Sequence, residues 1–336
     1  MQANPVLIDV SRGNAVENRH RGAYVICDAE GQVIASAGDV GRAVFPRSAI
    51  KSMQALAMVG SRAIDALALT DEELALACAS HHGEAVHVEG VRQFLTHVGL
   101  SVNDLECGTH LPSNGKAREA LRASGQEPSA LHNNCSGKHS GMLSVARALG
   151  VDTRGYVEPD HPVQKLVREA IETVIGQELS LDRCGTDGCS IPTWAAPLDA
   201  FARGFARLAT GRDLPEDLAS AARRIFDAAT SHPLLVAGTG HLDTLVMEAF
   251  AGRVMQKGGA EGVQCGAIRN LGLGYALKID DGNMAASQTL VANLLLRFAD
   301  PDRTQREVLE RFARQTLRNV RGLAVGEMRL AEGVTL

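Results

Sequence analysis

A serine and a lysine three residues apart, Ser48 and Lys51, are residues whose types and spacing could perform nucleophilic chemistry. Pro46 precedes them and suits the first turn of a helix, because that turn leaves its N–H groups unpaired. Residues three apart lie on one face of a helix. A desolvated lysine can lose its proton near neutral pH, and a serine with such a base in reach can attack a carbonyl carbon. The spacing therefore predicts a serine–lysine pair for acyl transfer.

The Ser-x-x-Lys spacing is not specific by itself, because about one copy is expected by chance in a chain of this length. A second copy, Ser113 and Lys116, lies among Pro, Asn and Gly, which favours a loop. Lysine is scarce, however, with six lysines against twenty-eight arginines. Lys51, Lys138 and Lys257 lie in Ser- or Gly-rich segments, and arginine cannot replace lysine where a neutral amine is needed. The composition therefore favours the first copy.

Two other segments, around Ser80 and Lys257, each allow a functional and a purely structural interpretation. Ser80 is followed by two histidines after an apolar helical stretch, so the run either holds a hydroxyl near a base or is only a polar helix end. Lys257 is followed by two glycines, which permit close approach of the backbone to a ligand but are also typical of a hairpin turn.

Two cysteine-containing segments are rich in polar groups, residues 132–139 (HNNCSGKH) and residues 184–189 (CGTDGC). The first runs into a predicted helix, and such a polar loop at a helix start is typical of a functional site. Cys135 and Cys189 could ligate one metal ion between the two loops, or they could be buried, inert thiols. Their spacing, without a paired CxxC, does not decide between the two.

Hydrophobic patterning predicts strands near both ends of the chain and helices between them. The predicted strands are residues 5–11, a hairpin over 23–36 with its turn at 29–32, and residues 253–256, 263–269 and 272–280. Predicted helices include 140–149, 162–175, 285–298 and 303–317. This order indicates an α+β protein with a discontinuous sheet domain, residues 1–45 together with 238–336. A mainly helical lobe, residues 46–237, would carry the Ser-x-x-Lys pair and the cysteine loops.

Composition argues against several classes of function. The net charge of −5 gives no basic surface for nucleic acid, and 4% aromatic residues provide few stacking platforms. No apolar run reaches the length of a membrane span, and the first residues do not form a signal peptide. Seven cysteines, an odd number, favour free thiols in a reducing cytoplasm. We therefore expect a cytoplasmic protein that binds neither nucleic acid nor membrane.

Taken together, five segments resemble the bacterial asparaginase II family typified by the inducible rhizobial enzyme: FPRSAIKSMQA, CASHHGE, HNNCSGKHSGML, CGTDGCSIPTWA and KGGAEGV. They occur in the family's order, over most of the chain. The resemblance implies a fold similar to serine β-lactamases, penicillin-binding proteins and glutaminases. Such a fold has an antiparallel sheet with flanking helices and an inserted helical lobe, in agreement with the division predicted above.

The resemblance also implies an amidohydrolase that converts L-asparagine to L-aspartate and ammonia as a homodimer with one zinc ion per chain. The family's catalytic residues correspond to Ser48, Lys51, Ser80 and Lys257. Its zinc ligands correspond to Cys135, Lys138 and Cys189. Residues in the same motifs that would surround the substrate or the metal are Arg47, Asn133, His139 and Asp187.

The implied mechanism is an acyl-enzyme formed by a serine with neutral lysine as the base. Ser48 is the expected nucleophile, with Lys51 as its base. Ser80, with Lys257 as its expected partner lysine, could pass a proton to the departing ammonia and later activate water. Both lysines would act at least partly as neutral amines. The sequence leaves open which serine attacks. It also leaves two other functions open: a different serine amidase on the same scaffold, such as a glutaminase or a β-lactam hydrolase, and a zinc-containing binding protein without catalysis.

Overall fold

The computed structural model of the protein describes residues 3–336. Strands lie near both ends of this range, as the apolar segments predict. In chain order the strands are β1 (Val6–Arg12), β2 (Ala15–Cys27), β3 (Val33–Ala37), β4 (Ala43–Val44), β5 (Cys184–Thr186), β6 (Pro192–Trp194), β7 (Ala196–Pro197), β8 (Val254–Gly259), β9 (Val263–Ile268), β10 (Leu273–Ile279), β11 (Gln315–Arg318) and β12 (Ala324–Leu330).

Helices account for most of the chain between β4 and β8. All helices, in chain order, are α1 (Lys51–Ala55), α2 (Ala57–Gly60), α3 (Ala63–Ala66), α4 (Asp71–Ala77), α5 (Ala85–His97), α6 (Gly115–Ala123), α7 (Ser136–Leu149), α8 (Pro162–Ile175), α9 (Leu198–Thr210), α10 (Glu216–Ser231), α11 (Pro233–Val236), α12 (Leu242–Phe250), α13 (Met284–Phe298) and α14 (Arg303–Ala313). Their starts follow capping chemistry: Thr70 caps α4 reciprocally with Glu73, and Asp302 caps α14 with Gln305.

Eight strands form one antiparallel sheet in the order β11-β12-β1-β2-β10-β9-β8, with β3 paired to β2. The long strand β2 pairs with two neighbouring strands along different parts of its length. Its first half pairs with β1 as far as Arg21, and its second half pairs with β10 from Gly22 to Cys27. Two small pairs, β4 with β7 and β5 with β6, lie outside this sheet. The sheet therefore joins the N-terminal and C-terminal parts of the chain.

Alternate residues of β2 face two different hydrophobic cores. Ala23, Val25 and Cys27 belong to the larger core, together with residues of α4, α7, α8 and α9. Tyr24 and Ile26 belong to the second core, with residues of α12, α13 and α14. Helices thus pack on both faces of the sheet. The predicted α+β class, an antiparallel sheet with flanking helices, is confirmed.

The predicted hairpin and the three late strands are confirmed, because β2 pairs with β3 and β8, β9 and β10 form successive antiparallel pairs. The helix predicted over 303–317 is wrong at its end. It stops at Ala313, and Gln315–Arg318 pairs with β12 instead. The apolar spacing continues through Leu317, but β12 provides hydrogen-bond partners that the local pattern does not reveal.

The large sheet draws its strands from residues 6–37 and 254–330, while residues 46–237 are mainly helical. The division of the chain into a sheet domain and an inserted lobe stays a prediction. Within residues 3–336, every helix is too short or too polar to cross a bilayer.

Candidate active site

The segment that carries Ser48 begins with an unusual backbone conformation. Arg47 has a φ of +52°, in the left-handed region, and opens a 3-10 turn, Arg47–Ile50. Lys51 then begins α1. The helix predicted from Pro46 is therefore a tight turn followed by a short α-helix. A non-glycine residue in this region costs about 1–3 kcal/mol, and such strain concentrates at functional sites. Ser48 is half-buried in this turn.

Strand β8 lies directly against this turn. A Cβ at Gly259 would come within 2.7 Å of the carbonyl oxygen of Pro46 and 2.9 Å of the amide nitrogen of Ala49. Only glycine permits so close an approach of two backbones. Lys257, two residues earlier on β8, is buried. The glycines after Lys257 thus belong to a strand that packs on the turn of Ser48.

Lys51 is buried, with 1% of the residue exposed, and its amine meets three partners. Nζ donates to the carbonyl oxygen of Ala79 at 2.6 Å and lies 2.9 Å from Ser80 Oγ and 3.1 Å from Cys135 Sγ. Burial lowers the pKa of Lys51 to about 8, with Cys135 opposing this effect. A neutral amine can donate to Ala79 and Cys135 while accepting a proton from the hydroxyl of Ser80. Ser80 is therefore the serine in contact with Lys51, whereas none of the described hydrogen bonds of Lys51 reaches Ser48.

Ser80 follows α4, and its N–H donates to the carbonyl oxygen of Val236 at 2.8 Å. The histidine after it serves another purpose. The buried ring of His81 is bonded through Nε2 to Ser136 Oγ at 2.9 Å and through Nδ1 to the N–H of Gly83. The base beside Ser80 is therefore Lys51 and not a histidine.

The three candidate metal ligands are buried together. Lys138 Nζ lies 2.9 Å from Cys189 Sγ, and Cys189 interacts in turn with Cys135. Hydrogen bonding from Cys189 lowers the pKa of Cys135 well below its usual value, against the opposing effect of burial, and Lys138 and Lys51 assist. Two sulfur donors and an amine nitrogen suit zinc. The residues present therefore fit a zinc ion.

Lys138 is an essential part of that donor set. No group of three or more His, Cys, Asp or Glu side chains within residues 3–336 is placed to hold a metal. A zinc ion at this cluster would need the amine of Lys138 together with the two sulfurs, and the amine must be deprotonated to bind.

Helix α7 begins at Ser136, four residues earlier than predicted, so Lys138 and His139 lie in its first turn. This turn crosses the end of α4 at very close range. A Cβ at Gly137 would come within 2.3 Å of the carbonyl oxygen of Leu76, and one at Gly141 within 2.9 Å of Ala77 Cβ. The crossing brings Ser80, just after α4, towards Cys135, just before α7.

We expect Gly137→Ala to lower the free energy of unfolding by about 3 kcal/mol, because the added methyl group must displace a buried backbone carbonyl. Gly115→Ala is the matched control, since a Cβ at this helical glycine meets nothing within 4 Å. Its stability should stay within about 1 kcal/mol of wild type. Urea unfolding measures both variants. Equal stabilities would contradict the close crossing.

The four predicted surrounding residues divide into two pairs. Arg47 Nε donates to Asp187 Oδ1 at 2.7 Å, which ties the turn of Ser48 to the loop of Cys189. Burial acts to raise the pKa of Asp187, but Lys138, the N–H of Gly188 and Arg47 together lower it. The lowered pKa favours the ionised carboxylate beside the candidate metal ligands.

The other pair is buried within the protein. Asn133 donates through Nδ2 to the carbonyl oxygen of Cys107 at 2.7 Å, and its Oδ1 accepts the N–H of Cys135 at 2.9 Å. The amide thus fixes the backbone of Cys135. His139 Nδ1 is bonded to the hydroxyl of Tyr156 at 2.5 Å, and its Nε2 has no partner among the described residues. Roles for both residues in substrate binding stay predictions.

The structure adds Asp243, which the sequence analysis missed. Asp243 is fully buried, with Oδ2 lying 3.6 Å from Lys257 Nζ. Lys257 Nζ also donates to the carbonyl oxygen of Gly258 at 2.7 Å. None of the described hydrogen bonds of Lys257 reaches Ser80. In the sequence, Asp243 resembles an ordinary acidic residue in the first turn of a helix, so its position gave no signal of this contact.

The second Ser-x-x-Lys copy lies elsewhere. Ser113 and Lys116 are exposed, and Asn114 between them caps α6 by accepting the N–H of Ala117. This copy is a helix start on the surface, with neither a buried lysine nor a partner hydroxyl. It therefore provides a control for the first copy.

Comparison with known families identifies the class of protein to which this chain belongs. The family model for L-asparaginase II matches residues 8–330. The chain therefore belongs to the L-asparaginase II family, and it is an amidohydrolase. Among curated proteins, no relative matches.

Solved structures with a similar fold share little sequence with this chain. Mglu has 15% identity over 84% of this chain, with a TM-score of 0.46, and the match covers 69% of Mglu. A second Mglu structure has a TM-score of 0.48 and is 62% covered at the same identity, so this chain spans about two thirds of Mglu. A β-lactamase from Mycobacterium bovis has 14% identity and a TM-score of 0.42, with coverage of 83% of this chain and 95% of the other.

Proposed function

We propose that the protein hydrolyses L-asparagine to L-aspartate and ammonia through a serine acyl-enzyme, with Lys51 as the base. The observation that carries the proposal is the buried amine of Lys51, 2.9 Å from Ser80 Oγ, in a chain of the L-asparaginase II family. Burial favours the neutral amine, and a neutral amine is the form that removes a proton from a hydroxyl.

Ser48 is the proposed nucleophile. Its hydroxyl makes no hydrogen bond within residues 3–336, so it is free to attack the side-chain amide carbon of asparagine. Lys51 releases the hydroxyl of Ser80 and takes the proton of Ser48, and N–H groups of the turn hold the negative oxygen. Collapse of this intermediate breaks the C–N bond, and the nitrogen leaves as ammonia with the proton from Lys51, relayed by Ser80. Water, deprotonated by the same groups, then cleaves the aspartyl ester and restores Ser48.

Zinc fits this scheme as an organiser of the substrate site. Cys135, Lys138 and Cys189 would hold the ion, which would supply a fixed positive charge that orders the two cysteine loops and helps to seat the substrate. The serine–lysine groups already provide a nucleophile and a base. We infer that Arg47 and Asp187, which link these loops to the turn of Ser48, shape the site for the charged amino acid end of asparagine.

The test of the proposed function is ammonia release by the purified protein from asparagine and glutamine, beside hydrolysis of a chromogenic β-lactam. We expect kcat/KM to be highest for asparagine. A preference for glutamine or for the β-lactam would replace asparaginase with another serine amidase. Lack of turnover, together with normal binding of asparagine by calorimetry, would support a binding protein instead.

Removal of zinc is expected to raise KM for asparagine by about tenfold or more while kcat changes by less than about threefold, the pattern of lost binding rather than lost transition-state contacts. Cys135→Ala and Cys189→Ala should behave like the chelated enzyme. Cys184→Ala is the control, because this half-buried thiol lies outside the predicted set of zinc ligands and is bonded to the carbonyl oxygen of Gly185. The measurements are the metal content of the protein and its kcat and KM before and after chelation. If the metal-free enzyme binds asparagine normally but does not turn it over, zinc has a catalytic role instead.

Two further expectations belong to this proposal. The family resemblance implies a homodimer, which sedimentation equilibrium tests directly. A cytoplasmic location is expected from cysteine usage, and the structure leaves all seven cysteines free. Fractionation of the source cells would test it.

A further inference from the structure

Asp243 and Lys257 form an ion pair deep inside the protein. Their side chains are each 1% exposed, and Lys257 Nζ lies 3.6 Å from Asp243 Oδ2. An isolated buried charge is very unfavourable, so each of these groups needs the other to remain ionised. Lys257 lies on β8, and Gly259 on the same strand packs against the turn of Ser48.

The carboxylate of Asp243 is held in place from several directions. Oδ2 accepts the N–H of Gly258 at 2.8 Å, and Oδ1 accepts Gln256 Nε2 at 3.3 Å. Gln256 is fixed in turn, because its Oε1 accepts the hydroxyl of Tyr275 at 2.7 Å and its Nε2 also donates to Gln264 Oε1 at 2.6 Å. Every group that donates to Asp243 favours its ionised form. The network is therefore built around a negative carboxylate.

The other titratable groups near the pair do not take the place of Asp243. His241 Nδ1 accepts the N–H of Asp243 and lies 3.6 Å from Asp243 Oδ1, and the ring of His241 packs against His82. The thiols of Cys78 and Cys265 are fully buried, and burial raises the pKa of both, that of Cys78 to about 12. They stay neutral at ordinary pH. Lys51 also acts electrostatically on this region, but it brings no negative charge.

We propose that Asp243 is a positioning residue that holds Lys257 as an ammonium ion, so that Lys257 acts as a fixed positive charge and Lys51 alone acts as the base. An ammonium group has three N–H donors. One goes to the carbonyl oxygen of Gly258, a second faces Asp243, and the third has no protein acceptor within residues 3–336. That donor is free for an anionic oxygen of substrate or intermediate. The catalytic part of this inference rests on the proposed function.

The two lysines would then differ in charge for a structural reason. Lys51 is desolvated and has a carbonyl, a hydroxyl and a sulfur for partners, whereas Lys257 has a buried carboxylate. The sequence-based mechanism treats both as neutral amines. Because their environments differ, one lysine amine can act as a base while the other remains a cation in the same site.

Lysine NMR tests the charge directly, because the six lysines give few signals. In full-length protein labelled with [¹³C,¹⁵N]lysine, we expect the Lys257 signal, assigned by its loss in Lys257→Met, to keep its ammonium shift from pH 6 to pH 9. In Asp243→Asn it should reach the amine shift by pH 8. An amine shift in the wild type at pH 7.5 would overturn the proposal, and so would unchanged titration in Asp243→Asn.

Kinetics provide the second readout. Asp243→Asn keeps an oxygen for the N–H of Gly258 but removes the charge, so kcat at pH 8 should fall about a hundredfold and partly recover as the pH is lowered. Asp243→Glu should restore part of the activity. Asp65→Asn, at a carboxylate that is 92% exposed, is the control and should match wild type. A uniform loss at every pH would indicate a merely structural role. The NMR experiment measures the charge of Lys257 whether or not asparagine is the substrate. Failure of the proposed function can therefore be distinguished from failure of this inference.

Discussion

Replacement of Ser48 with alanine is expected to lower kcat for asparagine by about 10⁶ without unfolding the protein. Loss of a serine nucleophile has an effect of this order in a serine protease that uses the same acyl-enzyme chemistry. The fold should survive because the hydroxyl of Ser48 makes no hydrogen bond within residues 3–336, and alanine fits a half-buried position in the turn. Steady-state ammonia release and circular dichroism measure the two effects.

Ser113→Ala is the matched control, since Ser113 belongs to the exposed second Ser-x-x-Lys copy. It should retain full activity. Ser80→Ala removes the hydroxyl beside Lys51 but not the proposed nucleophile, so a smaller loss of about 10²–10⁴ is expected, typical of proton transfer. If Ser48→Ala keeps a tenth of kcat while Ser80→Ala is inactive, Ser80 is the nucleophile.

The covalent intermediate identifies the nucleophile independently. Trypsin cleaves after Arg47 and Lys51, so an aspartyl ester on Ser48 would appear on the short peptide that spans residues 48–51. Acid quenching of the enzyme during turnover preserves the ester for mass spectrometry. A modified peptide that contains Ser80 instead would assign the attack to that residue.

Local sequence patterns were sufficient for much of the fold. Helix α8 runs from Pro162 to Ile175 as predicted, because its apolar stripe, its N-terminal proline and the glycine after it agree with one another. The β2–β3 hairpin follows in the same way from two apolar runs around a short turn. By contrast, β12 pairs with β1, more than three hundred residues away, and no local pattern contains that information. The end of α14 was misjudged for the same reason.

In the candidate site, too, local sequence patterns predict some features and tertiary packing determines others. Residue types and motif order predicted Ser48, Lys51, Ser80 and the cysteine loops as candidates, since each lies in a recognisable segment. The contacts depend on tertiary packing. The approach of Lys51 to Ser80 and Cys135 depends on the glycine crossing of α4 and α7, and the contact of Lys257 with Asp243 joins β8 to α12. Sequence spacing therefore indicates candidate groups, while the folded structure decides which of them are in contact.

Lys51→Arg is the second change with a large expected effect, a fall in kcat of about 10³–10⁴. Arginine remains protonated at every accessible pH, so it cannot accept the serine proton. Lys116→Arg, in the exposed second copy, is the matched control and should match wild type. It isolates the requirement for a neutral amine from any general effect of replacing lysine with arginine.

The pH profile follows from the lowered pKa of Lys51, about 8. The neutral fraction of its amine rises from about a tenth at pH 7 to about nine tenths at pH 9, so wild-type kcat should rise about tenfold over this range. The residual activity of Lys51→Arg should lack that rise. A flat wild-type profile between pH 6 and pH 9 would argue against a lysine base.

Chemical rescue separates loss of the base from distortion of the site. Lys51→Ala leaves space where the lysine side chain lay, and a small primary amine added to the solution can supply the missing base. We expect methylamine to restore part of kcat, more strongly as the pH rises and its neutral form increases, while guanidine at equal concentration should not. Rescue by both compounds alike would show that Lys51 contributes charge or packing and that proton transfer belongs to another group.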